Sequence, residues 1–237
     1  MKTKPCSPEE ISYRNQRRSV GMLGIFLPFA LIFYTYLQGC REIQPSISQY
    51  FYSTAGILLV GVLSAVGLFL ISYKGPQKID DIVTNLAGIF ALGIAYFPTD
   101  NDPNSQCLLF SFPPNKIVTI AHYIFAALFF ISLAINSFFL FTRTDKKMIT
   151  KQKQQRNYVY KTCGVLILIF IALVPICNIE KIKTSLNLPY ATFILEALAL
   201  LTFGISWLIK GDTLLQDQAQ PQMVKANPAD IVAPNAE

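Results

Sequence analysis

Two ionisable side chains stand inside long apolar stretches of this 237-residue chain, and they are the first candidates for chemistry. Glu196 lies seven residues after Pro189, and His122 lies five residues after Ile117. On helices that rise about 1.5 Å per residue, these spacings place the groups about 10 Å and about 8 Å below the end of each stretch. A buried carboxylate needs a partner, so we expect His122 and Glu196 to face the protein interior and to approach each other or a shared water.

Further polar side chains lie near the same level and predict a small cavity around the pair. The predicted binding residues are His122, Glu196, Tyr96, Asp100, Tyr50 and Ser48. Two interpretations stay open at this point. Ionisable groups inside apolar segments often carry protons or bind cations. The same groups can also form a hydrogen bond that only packs two helices together.

Known enzyme motifs give no guide to a reaction. The sequence lacks G-x-S-x-G, H-E-x-x-H, GxxxxGK[ST] and GxGxxG. A Ser-His-acid arrangement can be drawn from Ser46 or Ser48, His122, and Asp100 or Glu196, but nothing in the spacing supports it. One His and no Cys-x-x-Cys pair argue against a zinc site or an Fe–S cluster, and a haem held by two His is excluded. We therefore expect no metal, no cofactor and no catalytic residue.

The elements that position these residues follow from composition. Hydrophobic residues make up 52% of the chain, charged residues 14%, and the mean hydropathy is +0.41. An average soluble domain carries about 25% charged residues. A helix needs about 20 mostly apolar residues to cross a bilayer. Six stretches qualify, which are Ser19–Leu37, Thr54–Ser72, Ile82–Pro98, Ile117–Phe141, Tyr158–Cys177 and Tyr190–Ile209. The sequence predicts an all-α, polytopic membrane bundle of six transmembrane helices.

The distribution of positive charge predicts the topology. Alternate segments between the stretches carry 16 of the 20 Lys and Arg residues, which places both termini in the cytoplasm. Residues 1–18 would form a cytoplasmic arm with a short interfacial helix, residues 19–209 the transmembrane domain, and residues 210–237 a disordered cytoplasmic tail. The densest basic loop, Arg143 to Lys161, would hold anionic lipid headgroups, whereas no pattern supports nucleic-acid binding.

The cysteines divide between the two predicted sides of the membrane. Cys40, Cys107 and Cys177 lie on or near the outer side, where an oxidising compartment could join two of them. Cys40–Cys107 is the preferred disulfide, and three unpaired thiols are the alternative. Leu37-Gln38-Gly39-Cys40 also resembles a lipoprotein cleavage box, but the Gln is atypical and the arm before the apolar run is long.

Small residues predict one close helix pair. Ala87, Ala91 and Ala95 recur every four residues in the third stretch, as do Gly61 and Ala65 in the second. Such spacing lets helix backbones approach closely. We expect the second and third spans to form a tight hairpin at the centre of the bundle.

Three strings carry a resemblance to a family. They are residues 46–52 (SISQYFY), 86–99 from Leu-Ala-Gly to Phe-Pro-Thr, and 122–143 from His-Tyr to Phe-Thr-Arg. They resemble a family of uncharacterised small six-span bacterial inner-membrane proteins. The resemblance covers the chain from the first span to the sixth and implies a bacterial inner-membrane location, but no activity. It also implies that Ser48, Tyr50, Asp81, Pro98 and His122 belong to one recurring pattern.

Three functional hypotheses follow. The first is a non-enzymatic membrane protein that binds or translocates a small solute or a proton through an outward-facing polar pocket. The second is a membrane enzyme that acts on a lipid headgroup from the outer side. The third is a structural subunit that assists a membrane protein partner.

Overall fold

The computed structural model describes residues 8–102, 105–144, 150–186 and 188–213. Over these residues the chain is helical and contains no strand, which confirms the all-α prediction. The α-helices are α1 Pro8–Leu37, α2 Gly56–Ser72, α3 Lys78–Tyr96, α4 Lys116–Ile135, α5 Lys151–Cys177, α6 Glu180–Leu186 and α7 Ala191–Lys210. A 3-10 helix, Ser48–Tyr52, precedes α2, and a π-helical turn, Asn136–Leu140, extends α4.

Five of these helices are long and apolar enough to cross a membrane, namely α1, α3, α4 with its π-helical extension, α5 and α7. The remaining predicted span, the second along the chain, corresponds to α2, which is apolar but only 17 residues long. It is shorter than expected because Ser53, Thr54 and Ala55 form the turn that leads into it. Large apolar side chains face outward on the helices, such as Phe33 at 63% and Ile57 at 86% exposure. Apolar surface of this extent is typical of contact with lipid.

The predicted helix of the N-terminal arm forms the start of α1. This helix begins at Pro8 and runs unbroken through the first apolar stretch to Leu37. The predicted disordered tail falls mostly on residues 214–237, which lie outside the described residues. The short helix α6 was not predicted, since its seven residues carry no long apolar run.

Six helices pack in a ring. Each of α1 to α5 packs against its neighbours in sequence, α7 packs on α5, and α7 returns to α1 to close the ring. The chain therefore alternates between two ends of the bundle. We call the end that contains Cys40, Ser48 and Cys107 the disulfide end. The opposite end, which contains Arg17, Arg143 and Lys153, is the basic end.

The predicted hairpin of α2 and α3 forms, but it is one side of the ring and not its centre. The two helices approach closely at Gly67 and Gly88, where a Cβ built on Gly88 would lie 2.5 Å from the Gly67 carbonyl oxygen. Ala87 and Ala91 are fully buried, as the spacing predicts. Gly61 is not part of the contact, because a Cβ built there meets nothing within 4 Å.

Candidate functional site at the disulfide end

Two loops are joined across the disulfide end. Cys40, just after α1, forms a disulfide with Cys107 between α3 and α4, with 5.6 Å between their Cα atoms. The Glu42 carboxylate accepts hydrogen bonds from the Gln106 N–H at 2.7 Å and from the Ser105 hydroxyl at 3.2 Å. These contacts fix the loop that runs from residue 38 to residue 55, which we call the capping loop. The lipidation alternative for Cys40 does not fit this pairing, because its thiol is used in the disulfide.

The same corner holds a group of three potential metal ligands, Cys40, Glu42 and Cys107, whose ligand atoms all lie within 4.8 Å of one another. Both thiols are already joined to each other, so they do not offer two thiolate ligands. Cys177, the last residue of α5, is a free, half-buried thiol.

His122 fixes the capping loop from α4. Its ring is 3% exposed, with Nδ1 2.7 Å from the Phe97 carbonyl oxygen and Nε2 3.0 Å from Ser48 Oγ. A carbonyl oxygen only accepts, so Nδ1 carries the hydrogen. In the neutral ring, Nε2 is therefore the acceptor of the Ser48 O–H hydrogen bond.

Glu196 fixes the neighbouring residue of the same loop from α7. Its Oε2 accepts a hydrogen bond from the Ile47 N–H at 2.7 Å. Among the hydrogen bonds between described residues, none joins Glu196 to His122. The two groups expected to approach each other thus bind consecutive residues, Ile47 and Ser48, at the disulfide end of the ring.

A narrow cavity lies on the axis of the ring beneath Ile47 and Ser48. Its volume is about 40 Å³. Five of the six ring helices line it, and its polar lining comes from Ser48 and Glu196. The helices contribute apolar side chains such as Leu27, Leu59, Ile94, Phe129 and Leu200. We call this space the axial cavity.

A second and larger space, the open pocket, lies between the end of α3 and the start of α4. It has a volume of about 480 Å³. Asp100 is its carboxylate, and Asp100 Oδ1 accepts a hydrogen bond from the Thr119 hydroxyl at 2.7 Å. The aromatic rings that line it are Tyr52, Tyr96, Phe97 and Phe112. Of the described residues that line this pocket, none is basic.

Two buried tyrosines support the walls from the 3-10 helix. Tyr52 donates its hydroxyl hydrogen to the Thr99 carbonyl at 2.6 Å, and Tyr50 accepts a hydrogen bond from the Gln44 N–H at 3.4 Å. Burial raises the pKa of both tyrosines above the ordinary phenol value, and the Asp100 carboxylate adds to the rise at Tyr52. Both hydroxyls therefore remain protonated at neutral pH.

The single pocket expected from the sequence is thus divided in two. Ser48 and Glu196 line the axial cavity, Tyr96 and Asp100 line the open pocket, and His122 lies between them with its Nδ1 on the Phe97 carbonyl. Tyr50 is fully buried and lines neither space. Sequence reasoning missed Thr119 and the Phe97 carbonyl. Thr119 carried a signal, since it precedes His122 by three residues and therefore shares its helix face.

Comparison with known proteins finds no family model, no curated protein and no solved structure that matches the chain.

Proposed function

We propose that this chain is a six-span protein of the bacterial inner membrane that binds a small cationic solute in the open pocket, from the periplasmic side. The composition of that pocket carries the proposal. It combines the Asp100 carboxylate with four aromatic rings, and none of its described lining residues is basic. A volume of about 480 Å³ is within the usual range of small-molecule sites, about 300 to 1,000 Å³.

A positively charged group suits these walls for two reasons. Asp100 presents an exposed carboxylate, to which the Thr119 hydroxyl donates a hydrogen bond. Aromatic faces attract cations through their quadrupole, by about 0.5 to 1 kcal/mol each at exposed sites. A small ammonium ion with methyl groups would satisfy both the carboxylate and the rings.

Binding is better supported than translocation. Ile47 and Ser48 lie across the axis of the ring and are held there by Glu196 and His122. The axial cavity below them is about 40 Å³ in volume, and it leaves no room for a solute that would fill the open pocket. We therefore propose a receptor-like or accessory role, in which the solute binds in the open pocket and does not pass through the ring.

Six spans and two cytoplasmic termini are also part of the proposal. The 17 residues of α2 give about 26 Å at about 1.5 Å per residue, a little less than the bilayer core of about 30 Å. Local thinning or helix packing accommodates such a mismatch. The chain then crosses an even number of times, in agreement with the charge distribution. Fusions of a periplasmic or a cytoplasmic reporter to each terminus test this, and reporters active on opposite faces would contradict it.

The basic end supports a lipid partner. Lys151 is the first residue of α5, and Lys161 lies ten residues further along the helix. Both are exposed, whereas Lys146 and Lys147 lie outside the described residues. Lysines at this level attract anionic headgroups by about 1 kcal/mol each. We propose that anionic phospholipid binds around this loop.

The binding proposal is tested with tetramethylammonium and choline, added to the protein purified in detergent, by isothermal titration calorimetry. We expect weak, saturable binding that Asp100→Asn reduces at least tenfold. Asp102→Asn is the matched control, because Asp102 lies two residues away and does not line the pocket. Binding unaffected by Asp100→Asn, or equal loss in both variants, would overturn the proposal.

A further inference from the structure

Ser48 and His122 form a pair that the proposed cation site does not use. Ser48 Oγ lies 3.0 Å from His122 Nε2, and the other ring nitrogen lies 2.7 Å from the Phe97 carbonyl oxygen. We infer that Ser48 is a nucleophile, that His122 is its general base, and that the pair transfers a short acyl group from an ester to water. The inference stands apart from the cation pocket and does not depend on Asp100.

The geometry meets the requirements for activating a serine. A nucleophile and its base must lie within hydrogen-bond reach, about 2.6 to 3.2 Å, and a third group must orient the base. The Phe97 carbonyl is that third group, since it fixes the hydrogen on Nδ1 and leaves Nε2 free to accept the serine proton. In Ser-His-Asp enzymes a carboxylate has this orienting role.

Ser48 and His122 differ in how far they are buried, and the difference suits a nucleophile and its base. His122 is 3% exposed and is shielded from water, while Ser48 is only partly buried and lines the axial cavity. The walls of that cavity are apolar apart from Ser48 and Glu196, so it suits an acyl chain better than a headgroup. One water needs about 10 to 15 Å³ of such volume, so a cavity of about 40 Å³ accepts a chain of only a few carbons.

The structure also restrains the backbone beside the nucleophile. The Ile47 N–H is held by Glu196 Oε2 at 2.7 Å, and the Phe193 N–H donates to the Pro45 carbonyl at 2.9 Å. The backbone just before Ser48 is therefore held to α7 at two residues, Pro45 and Ile47. Glu196 is a positioning residue in this scheme.

The reaction balances in two steps. Ser48 Oγ attacks the ester carbonyl carbon, its proton passes to His122 Nε2, the bond to the alkoxy oxygen breaks, and that oxygen leaves as an alcohol with the proton from His122. Water then attacks the acyl-serine, gives one proton to His122, and releases a carboxylic acid as the serine oxygen recovers that proton.

Ser46 provides a matched control two residues away. Its hydroxyl oxygen accepts a hydrogen bond from the Gln49 N–H at 3.2 Å, which is a local turn contact, and it does not line the axial cavity. Both serines are half-buried in the same loop. A reagent that attacks any exposed serine of the loop would therefore modify Ser46 as well as Ser48.

The test uses two probes on the detergent-purified, folded chain. A fluorophosphonate bonds covalently to activated serines with loss of fluoride, and peptide mass spectrometry locates the adduct. The hydrolysis of p-nitrophenyl acetate, butyrate and palmitate reports acyl transfer and chain length. We expect an adduct on Ser48, and hydrolysis that prefers acetate and butyrate to palmitate.

The variants decide between catalysis and mere packing. Ser48→Ala should abolish labelling and lower hydrolysis at least tenfold, Ser46→Ala should leave both unchanged, and His122→Gln should slow hydrolysis about 100-fold or more. Thermal melting followed by Trp207 fluorescence shows whether each variant is folded. If His122→Gln does not fold, the comparison of Ser48→Ala with Ser46→Ala decides by itself. An unlabelled Ser48 in the folded wild-type chain, or hydrolysis that Ser48→Ala does not reduce, would overturn the inference. Neither result bears on the cation pocket, which is tested separately by the loss of cation binding in Asp100→Asn.

Discussion

Glu196 and His122 bind consecutive residues of one loop. Glu196 Oε2 accepts from the Ile47 N–H at 2.7 Å, and His122 Nε2 lies 3.0 Å from Ser48 Oγ. Since the two side chains come from α7 and α4, they fix the capping loop to two separate helices of the ring.

Substitution of Glu196 separates the hydrogen bond from the charge. Gln retains an oxygen that can accept from the Ile47 N–H, so Glu196→Gln should change stability by less than about 1 kcal/mol. Glu196→Leu leaves that N–H without its acceptor and should cost about 1 to 3 kcal/mol. Thermal melting followed by the fluorescence of Trp207, the single tryptophan and a fully buried one, measures both. Equal destabilisation by Gln and Leu would show that the loop requires the carboxylate itself.

The helices could be predicted from the sequence because a bilayer demands long apolar runs. The observed ends of α3 and α7 lie within four residues of the expected ones. The hairpin of α2 and α3 was predicted from small residues at a four-residue spacing. That spacing could not show which face turns inward, and the contact is made by Gly67 and Gly88 and not by Gly61.

The site could be predicted only in part. The depth of His122 and Glu196 followed from helical rise, but their partners did not. Glu196 binds a backbone N–H, and His122 binds a backbone C=O in addition to Ser48. Backbone groups are the same at every position, so no sequence pattern identifies them. The path of the capping loop depends on the disulfide and on Glu42, which are contacts between distant parts of the chain.

Loss of the disulfide should destabilise the chain. Cys40 and Cys107 are separated by 67 residues, and closing a loop of that length in the unfolded chain is worth about 4 kcal/mol. The double variant Cys40→Ser/Cys107→Ser should therefore melt at a clearly lower temperature, and a reducing agent should have the same effect on the wild-type chain. Cys177→Ser is the control, since this thiol is free. A melting temperature that the double variant shares with Cys177→Ser would contradict the structural role of the disulfide.

Two glycines of α2 and α3 should respond oppositely to alanine. A Cβ on Gly88 would lie 2.5 Å from the Gly67 carbonyl oxygen, so Gly88→Ala must push the helices apart and should cost about 1 to 3 kcal/mol. A Cβ on Gly61 meets nothing within 4 Å, and alanine favours the helix by up to about 1 kcal/mol. Gly61→Ala should thus be neutral or stabilising. The same melting assay compares them, and a Gly88→Ala variant as stable as Gly61→Ala would rule out the close approach of these helices.

Anionic lipid should stabilise the chain through the basic end. Lys151 at the start of α5 and Lys161 ten residues further along it are both exposed, and each should contribute about 1 kcal/mol of attraction to anionic headgroups. We expect phosphatidylglycerol to raise the melting temperature more than phosphatidylcholine does, and Lys151→Gln/Lys161→Gln to remove a large part of that difference. Lys116→Gln/Lys181→Gln is the matched control, since both lysines are exposed at the disulfide end. If the two double variants lose the lipid effect equally, the attraction is a property of net charge, and the Arg143 to Lys161 loop is not a lipid site.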